Sequence, residues 1–457
     1  MKKSLIQKGL LCFLTFVLML GIIQKPAAAA APIDINANAV ILVDAKTGKI
    51  LYEKNAETVL GIASMTKMMT EYLLLEAVKE GKVKWDQTYT VSPALSEMSH
   101  NTALSNVYLR NGGTYKLEDL YSAMAIESAN AATTAVAEIV AGSEPNFVKL
   151  MNEKAEELGL GEFKFVNASG INNRDLVKYF PDQIVGGPEE ENVMSARAVA
   201  KLAYHLLKDF PEVLETSSIP EKTFAEGTED AFVMDNWNYM LESYKNLAED
   251  YPNYQQFTYE GLDGLKTGTT DFAGACFTGT AERNGQRYIT VVMGTKSQTA
   301  RFVETRKLLD FAFNNFTKEE IVPANYQIKG TKTVPVAKGK EDSVKIHTKE
   351  ALTSVVSVDQ KDNFETVLEL DEKKLNKDGE LTAPIKKGDK IGTLTIKAKD
   401  GEEAIFLSED GQKSQTVDLV AAEDVEKANW FVLMMRGIGG FFGDLFGGVA
   451  SAVKGWF

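Results

Sequence analysis

The sequence predicts an α+β fold in which helices pack on a mainly antiparallel sheet. Three patterns predict it: an apolar strand pair near residue 40, helical periodicities between residues 64 and 207, and strand patterns that return after residue 261. Strands, then helices, then strands are typical of an α+β domain. Because 457 residues are too many for one ordinary core, we expect two or three domains.

The elements of the first half follow from local patterns. Residues 39–44 and 49–53 are β-branched runs separated by a short polar turn, which predicts a β-hairpin. From Ser64, apolar residues recur at three- and four-residue steps to about Gly81, which predicts a helix. The same periodicity predicts helices over three further ranges: 117–142 with a break around 128–130, 147–158, and 196–207.

The second half begins with a loop and then returns to strands. Paired glycines and a run of glutamates predict a loop over residues 181–192. Residues 274–282 and 287–294 flank Asn284-Gly285, which is a strong hairpin signal. Residues 301–316 are again periodic as an amphipathic helix.

Residues 319–421 predict a separate all-β domain. Short runs alternate β-branched with charged residues, and Asp-Gly pairs separate the runs. Apart from His347, this stretch contains no histidine, no cysteine and no clustered carboxylates at ligand spacing. We therefore expect residues 32–318 to carry the chemistry.

The first 31 residues have the layout of a secretory signal peptide, which predicts export. Three lysines precede an apolar run over residues 9–23, and alanines at 27–31 offer a cleavage site. An uncleaved membrane anchor is the alternative. Cys12 lies inside the apolar run, so the mature chain keeps only Cys276 and forms no internal disulfide.

Residues 422–457 predict an amphipathic helix that lies on a membrane surface. The longest charge-free stretch is well short of the ~20 residues that a spanning helix needs. Frequent glycines make such a helix marginal in water, whereas its aromatic face favours a bilayer interface. Docking on the protein's own core is the alternative. The large apolar side chains share one helical face: Trp430, Met434, Ile438, Phe441, Leu445, Val449 and Trp456.

Composition and missing motifs narrow the function. The net charge of −14 argues against a general nucleic-acid binder, because such a protein needs a basic surface to displace phosphate counterions. His100, His205 and His347 have no plausible nucleophile beside them, and the chain lacks both G-x-S-x-G and H-E-x-x-H. A Ser-His-Asp triad and a metal hydrolase are therefore disfavoured, and no cofactor is implied. The base of any acyl transfer is expected to be something other than histidine.

A serine and a lysine at helical spacing supply an alternative base. Ser64-Met65-Thr66-Lys67 matches S-x-x-K at the start of a predicted helix. Residues three apart share a helix face, so the amine can reach the hydroxyl. The amine is a useful base only if burial or a second cation lowers its pKa. Taken alone, the motif favours a helix-capping serine and a solvated first-turn lysine.

Two further motifs follow in order. Ser128-Ala129-Asn130 matches S-x-N, and Lys266-Thr267-Gly268 matches K-T-G on a predicted strand, where the lysine would supply the second cation. A second K-T-G, residues 46–48, lies in the predicted hairpin turn and is explained by the turn itself. Each motif is weak alone, and the ordered set of three is specific.

The ordered set resembles the active-site-serine penicillin-binding enzymes. Longer stretches are similar to the low-molecular-mass D-alanyl-D-alanine carboxypeptidases, namely residues 63–70, GLDGLKTGT at 261–269 and FTGTAER at 277–283. The resemblance extends over nearly the whole mature chain. It implies a β-lactamase/penicillin-binding-like catalytic domain over residues 32–318, followed by the β-domain and the membrane-surface helix. It also implies an enzyme on the outer face of the cytoplasmic membrane.

The resemblance further implies a role for each motif residue. Ser64 corresponds to the nucleophile that attacks a stem peptide ending in D-Ala-D-Ala, and Lys67 to its base. Ser128 and Asn130 correspond to the proton relay and the group that orients the peptide. The terminal carboxylate, or a β-lactam in its place, would be held by residues of the strand and of the last helix: Lys266, Thr267, Gly268, Thr269 and Arg301. The oxyanion hole would be formed by the backbone N–H groups of Ser64 and Thr269.

Several alternatives stay open on sequence alone. Arg301 is also explained as a helix-surface arginine, and residues 167–170 lack the histidine that family members often carry, so this loop receives no role. A class A β-lactamase would need a glutamate within E-x-x-L-N some three dozen residues beyond Ser128, where residues 163–170 contain no such motif. A transpeptidase or an esterase on the same scaffold, or a penicillin-binding sensor that acylates without turnover, is the remaining alternative.

Overall fold

The computed structural model describes residues 33–328, 330–401, 403–431 and 433–434. The predicted signal peptide and residues 435–457 of the predicted surface helix lie outside these ranges. The strands of the first part, in chain order, are β1 (Ala39–Asp44), β2 (Ile50–Lys54), β3 (Val59–Gly61), β4 (Thr88–Thr90), β5 (Thr114–Lys116), β6 (Phe163–Lys164), β7 (Val193–Ser195), β8 (Glu221–Phe224), β9 (Phe232–Asp235), β10 (Leu262–Thr270), β11 (Gly274–Arg283) and β12 (Gln286–Thr295).

Helices fill the interval between these strands and also follow them. In chain order they are α1 (Lys67–Lys79), α2 (Pro93–Ser99), α3 (Leu117–Ala125), α4 (Asn130–Ala141), α5 (Glu144–Glu157), α6 (Asn173–Leu176), α7 (Ala196–Asp209), α8 (Val213–Ser217) and α9 (Ala300–Asn315). Turns of 3₁₀-helix cover Ala63–Thr66 and Glu242–Leu247. The helix predicted from Ser64 therefore begins as a 3₁₀-turn and becomes α-helical only at Lys67.

A five-stranded antiparallel sheet organises the first part, in the order β10-β11-β12-β1-β2. All six residues of β1 are buried, because the strand lies inside the sheet and helices cover both faces. Ile41 and Val43 point into the core that contains α7, whereas Val40 and Leu42 point into the core that contains α9. This alternation is the two-residue period of a strand. The structure thus shows the α+β arrangement that the sequence predicts.

The β11–β12 hairpin turns at Asn284 and Gly285, as predicted. Their φ angles are 54° and 72°, and positive φ at both turn positions is what the commonest two-residue hairpin turn requires. The hairpin aligns β10, which pairs with β11 from Leu262 to Thr270. The turn therefore helps to fix the strand that carries Lys266.

Helix α1 is buried on nearly all sides and joins two cores. Met68, Met69 and Leu73 pack into the core under the sheet, whereas Leu74 and Ala77 pack into a second core formed with α3 and α4. A helix that is apolar all round is expected to be central. The start of α1, and Ser64 before it, consequently lies between the sheet and the helical layer.

The C-terminal strands form their own core. They are β13 (Phe316–Val322), β14 (Thr333–Ala337), β15 (Ser343–Thr348), β16 (Leu352–Ser357), β17 (Phe364–Leu370), β18 (Leu381–Thr382), β19 (Lys390–Ala398) and β20 (Thr416–Ala421), with a short helix α10 (Glu409–Lys413) and 3₁₀-turns at Val358–Gln360 and Glu372–Lys374. They build a six-stranded sheet, β17-β19-β20-β15-β14-β18, and a β13–β16 pair. Within the described ranges, no helix is both long and apolar enough to cross a membrane.

Backbone hydrogen bonds attach the C-terminal part to the first hairpin. The Ile50 N–H donates to the Ile405 carbonyl at 2.8 Å, and the Leu407 N–H donates to the Gly48 carbonyl at 2.9 Å. Nearby, Lys49 Nζ donates to the Val355 carbonyl at 2.8 Å. Paired backbone groups of this kind fix orientation as well as distance.

Candidate active site

Ser64 is the accessible member of a buried turn. It is half-buried, whereas Ala63, Met65 and Thr66 around it are buried. Ala63 has a φ of 46°, in the left-handed region that costs a non-glycine residue of order 1–3 kcal/mol and that clusters at functional sites. The turn therefore leaves the Ser64 hydroxyl accessible while its neighbours anchor it in the core. The region between this turn, Asn130 and residues 266–269 of β10 is called the groove.

Lys67 lies directly beneath Ser64 and is 1% exposed. Its Nζ contacts Ser64 Oγ at 2.9 Å and donates to Asn130 Oδ1 and to the Ser169 carbonyl, both at 2.8 Å. An ammonium group has three N–H donors, whereas a neutral amine has two and a lone pair. The neutral amine can therefore keep its bonds to Asn130 and Ser169 while its lone pair accepts the proton of Ser64.

The surroundings of Lys67 favour that neutral form. Burial lowers the pKa of Lys67 well below its usual value, and the charge of Lys266 lowers it further, whereas Glu144 opposes both. A lysine becomes a base at neutral pH only under such conditions. The sequence predicts that burial or a second cation is required, and both are present here.

The segment from Ser128 to Asn130 interrupts the helical structure between α3 and α4. Ser128 has a φ of 60° and is 5% exposed. The backbone N–H and the side-chain Nδ2 of Asn130 both donate to the Ser105 carbonyl, which aims Oδ1 at Lys67. Within the described part of the chain, the Ser128 hydroxyl makes no hydrogen bond to Lys67 or Lys266.

Strand β10 closes the opposite side of the groove. Lys266 and Thr267 are buried and Thr269 is exposed. A Cβ on Gly268 would lie 2.9 Å from the Ser64 nitrogen and 2.7 Å from the Ile62 carbonyl oxygen. Only glycine lets the strand pass this close to the turn, so Gly268 brings Thr269 beside Ser64.

Lys266 is a second buried amine whose pKa is lowered, to about 7. Burial is the main cause, Arg301 lowers the pKa further, and Glu71 and Glu127 act in the opposite direction. Its Nζ donates to the Thr267 carbonyl at 3.3 Å. A substrate carboxylate next to this amine would favour the charged form.

Arg301 extends from α9 under β10 instead of into solvent. It is 2% exposed, and Nη1 donates to Thr269 Oγ1 at 2.9 Å and to the Gly268 carbonyl at 3.2 Å. Burial lowers its pKa to about 10. The sequence left open whether Arg301 lies on the surface of its helix, and the structure shows that it does not.

The second K-T-G copy lies in the β1–β2 turn, as the sequence indicated. The Thr47 N–H and hydroxyl both donate to the Asp44 carboxylate, which closes the turn. The copy belongs to a hairpin and not to the groove.

Sequence reasoning missed four groups near the lysines. The Ser169 carbonyl binds Lys67 from the loop that received no role. Glu71, Glu127 and Glu144 each have a pKa raised to about 7, mainly by burial. Glu71 was detectable, because an acid four residues after Lys67 in an apolar helix shares the lysine's face. The others depend on packing between distant segments.

The groove combines a nucleophile with an anion-binding side. Ser64 and Lys67 can exchange a proton, and Lys266, Thr269 and Arg301 offer charged and hydroxyl donors to a carboxylate. Within the described ranges, no group of three or more His, Cys, Asp or Glu side chains is placed to hold a metal ion. The arrangement can support acyl transfer on a substrate with a free carboxylate.

Two protein families match this chain. The D-alanyl-D-alanine carboxypeptidase family matches residues 25–297, and the C-terminal domain of penicillin-binding protein 5 matches residues 316–427. The D-alanyl-D-alanine carboxypeptidase DacF of Bacillus subtilis is 31% identical over 403 residues, which are 88% of this chain and 89% of that protein.

Solved structures agree with the sequence comparisons. A peptidoglycan synthesis regulatory factor, PBP3, from Streptococcus pneumoniae is similar with 34% identity and a TM-score of 0.67, covering 86% of this chain and all of that chain. The cefotaxime-bound penicillin-binding protein D2 of Listeria monocytogenes has 33% identity and a TM-score of 0.50, covering 62% of this chain and 99% of that chain.

Proposed function

The chain belongs to the D-alanyl-D-alanine carboxypeptidase family, and we propose that it removes the terminal D-alanine from peptidoglycan stem pentapeptides through an acyl-enzyme on Ser64. The observation that carries this proposal is the partly buried contact of 2.9 Å between Lys67 Nζ and Ser64 Oγ. The lowered pKa of Lys67 supports it, because a neutral amine at that distance can take the hydroxyl proton as the bond to carbon forms.

Acylation begins when Lys67 accepts the Ser64 proton and Oγ attacks the carbonyl carbon of the penultimate D-alanine. Negative charge develops on the carbonyl oxygen, where the N–H groups of Ser64 and Thr269 would stabilise it. The tetrahedral intermediate then expels the terminal D-alanine, whose nitrogen receives the proton from Lys67, directly or through the Ser128 hydroxyl. The products of this half-reaction are free D-alanine and an ester on Ser64.

Deacylation repeats the same chemistry with water. Water loses a proton to Lys67 and attacks the ester, and Ser64 leaves with that proton restored to Oγ. Asn130 holds Lys67 in place throughout, since its Oδ1 accepts from Nζ. We propose that its amide also orients the peptide.

Specificity for a C-terminal carboxylate is proposed to come from the β10 side. The Lys266 amine, the Thr267 and Thr269 hydroxyls and the Arg301 guanidinium supply donors there, and the Arg301 contact with Thr269 places the guanidinium within reach of the groove. A β-lactam carries a carboxylate and a strained amide and would acylate Ser64 in the same way. The cefotaxime-bound relative supports this extension.

We propose that the protein works outside the cytoplasm, on the outer face of the cytoplasmic membrane. The signal-like residues 1–31 and the amphipathic pattern of residues 422–457 support export and surface attachment. Val425 and Lys427 of this tail still pair with the β-domain, and beyond them Trp430 is 74% and Phe431 is 53% exposed. Aromatic side chains at this position suit a bilayer interface. In this proposal the β-domain, residues 319–421, is a spacer between membrane and catalytic domain.

The test is D-alanine release from an acyl-D-Ala-D-Ala peptide by protein that lacks residues 1–31 and the tail, with and without penicillin. We expect release that penicillin abolishes, and neither release nor covalent penicillin labelling in Ser64→Ala. Labelling of the wild type without D-alanine release would support the sensor or transpeptidase alternative. Normal labelling of Ser64→Ala would contradict the mechanism.

A further inference from the structure

Glu144 is a buried carboxyl that the reaction described above does not use. It is the first residue of α5 and is 5% exposed. Its Oε1 accepts the backbone N–H of Ala168 at 2.8 Å. Its Oε2 is buried and finds no hydrogen-bond partner among the described residues. An unsatisfied buried carboxylate oxygen is costly, so it calls for a physical explanation.

The Ala168 contact holds the backbone that anchors the proposed base. The Ala168 carbonyl accepts from Thr70 Oγ1 at 2.7 Å, and the next carbonyl, that of Ser169, accepts from Lys67 Nζ at 2.8 Å. Thr70 and Lys67 lie on α1, whereas Ala168 and Ser169 belong to a loop about a hundred residues later in the chain. Glu144 of α5 therefore supports the loop whose carbonyl groups accept hydrogen bonds from α1.

The charge of Glu144 also acts on Lys67. Two ionisable groups act on this amine from other elements: Lys266 of β10 lowers its pKa, and Glu144 of α5 raises it. The pKa of Glu144 is raised to about 7 by burial and by Glu138 of α4, whereas the Ala168 N–H and Lys67 lower it. The amine and the carboxyl therefore each favour the charged form of the other.

We propose that Glu144 is a positioning residue for Lys67: its Oε1 fixes the Ala168–Ser169 backbone that anchors the amine. This inference rests on the proposed function, in which Lys67 is the base.

Two variants test the contact. Glu144→Gln keeps an oxygen that can accept the Ala168 N–H, whereas Glu144→Ala removes that acceptor. The glutamine variant should therefore retain the acylation rate that the alanine variant loses.

The experiment measures the rate of Ser64 acylation by a fluorescent penicillin as a function of pH. For Glu144→Gln we expect a plateau within about twofold of the wild type, because the acceptor of the Ala168 N–H is kept. For Glu144→Ala we expect the plateau itself to fall about tenfold or more, because the Ser169 carbonyl is released. The matched control is Glu76→Gln, which removes a half-exposed carboxylate from α1 and should leave the profile unchanged.

Wild-type acylation by Glu144→Ala would overturn the proposal. A Glu144→Gln variant that loses acylation as far as Glu144→Ala, while its melting temperature matches the wild type, would overturn it as well. If Glu144→Ala does not fold, Glu144→Met takes its place, because methionine keeps most of the side-chain volume but offers no oxygen to the Ala168 N–H. Wild-type protein that is acylated by penicillin but releases no D-alanine would refute the proposed peptidase activity alone, since acylation depends on the same Lys67.

Discussion

Replacement of Gly268 by alanine tests whether the strand and the nucleophile turn must touch. The added Cβ would lie 2.7 Å from the Ile62 carbonyl oxygen, 2.9 Å from the Ser64 nitrogen and 3.0 Å from the Met65 nitrogen. Ordinary contact begins at 3.4 Å, so the closest approach falls short by about 0.7 Å. All three neighbours are backbone atoms, which cannot rotate away as a side chain can. The strand and the turn must therefore separate.

The magnitude follows from that displacement. A misplacement of about 1 Å in a reacting geometry costs roughly 100-fold in rate, so we expect Gly268→Ala to lower the rate of Ser64 acylation by about 10- to 100-fold. Overpacking should also lower the free energy of unfolding by about 1–3 kcal/mol. The assay is time-resolved covalent labelling by a fluorescent penicillin, with the melting temperature measured in parallel.

Gly279→Ala in the adjacent strand β11 is the matched control. Its added Cβ would meet side-chain atoms, Phe277 Cε1 at 2.9 Å and Thr290 Oγ1 at 3.0 Å, and not the turn. We expect a lower melting temperature with acylation close to the wild type. If Gly268→Ala acylates as fast as the wild type, or if both variants lose acylation equally, the proposed dependence on strand–turn contact is refuted.

Three further predictions concern the anion side, the pH response and the tail. Arg301→Ala should raise the KM for a carboxylate-terminated peptide at least tenfold, because it removes a charge-assisted hydrogen bond of about 1.5–3 kcal/mol. An unchanged KM would contradict the proposal that Arg301 binds the carboxylate. The pKa of Lys266 is lowered to about 7. Because only the protonated amine attracts a carboxylate, the KM for the same peptide should rise as pH increases above about 7. A KM that does not change with pH would show that Lys266 does not bind the carboxylate. Truncation after Ala422 should release active protein from membranes, and a truncated form that still sediments with them would show that the tail is not the anchor.

The β-domain offers a prediction about architecture. If it is only a spacer, replacement of residues 319–421 by an unrelated rigid domain of similar length should preserve activity on the cell wall. Loss of wall activity with normal activity on soluble peptide would indicate a specific contact instead. Because Leu407 packs into the core under the five-stranded sheet, the chimera must keep that apolar contact to retain the stability of the first hairpin.

Sequence alone could predict the features that depend on short spacing. The three-residue interval brings Ser64 and Lys67 together on one turn, although the turn is 3₁₀ and not α-helical at Ser64. The Asn284-Gly285 hairpin formed because its positive φ angles suit those residues. The ordered motifs also indicated the family before any distance was known.

The features that sequence could not predict depend on packing between distant segments. Asn130 and the Ser169 carbonyl reach Lys67 from 63 and 102 residues away along the chain. No local pattern reveals that Glu144, which reads as an ordinary first-turn acid, lies beneath this loop. The direction of Arg301 was equally undetermined, since a helical period places a side chain on a face but does not say what covers it.

The sequence by itself determined the reactive groups and their order: a serine with a lysine one turn later, a polar break, and a strand with a third motif. Only the tertiary structure shows the surroundings that lower the pKa of that lysine. Its pKa depends on removal from water and on the charges of Lys266 and Glu144, which β10 and α5 bring to it. Desolvation and Coulomb energy depend on distance in space, and that distance is set by the packed fold.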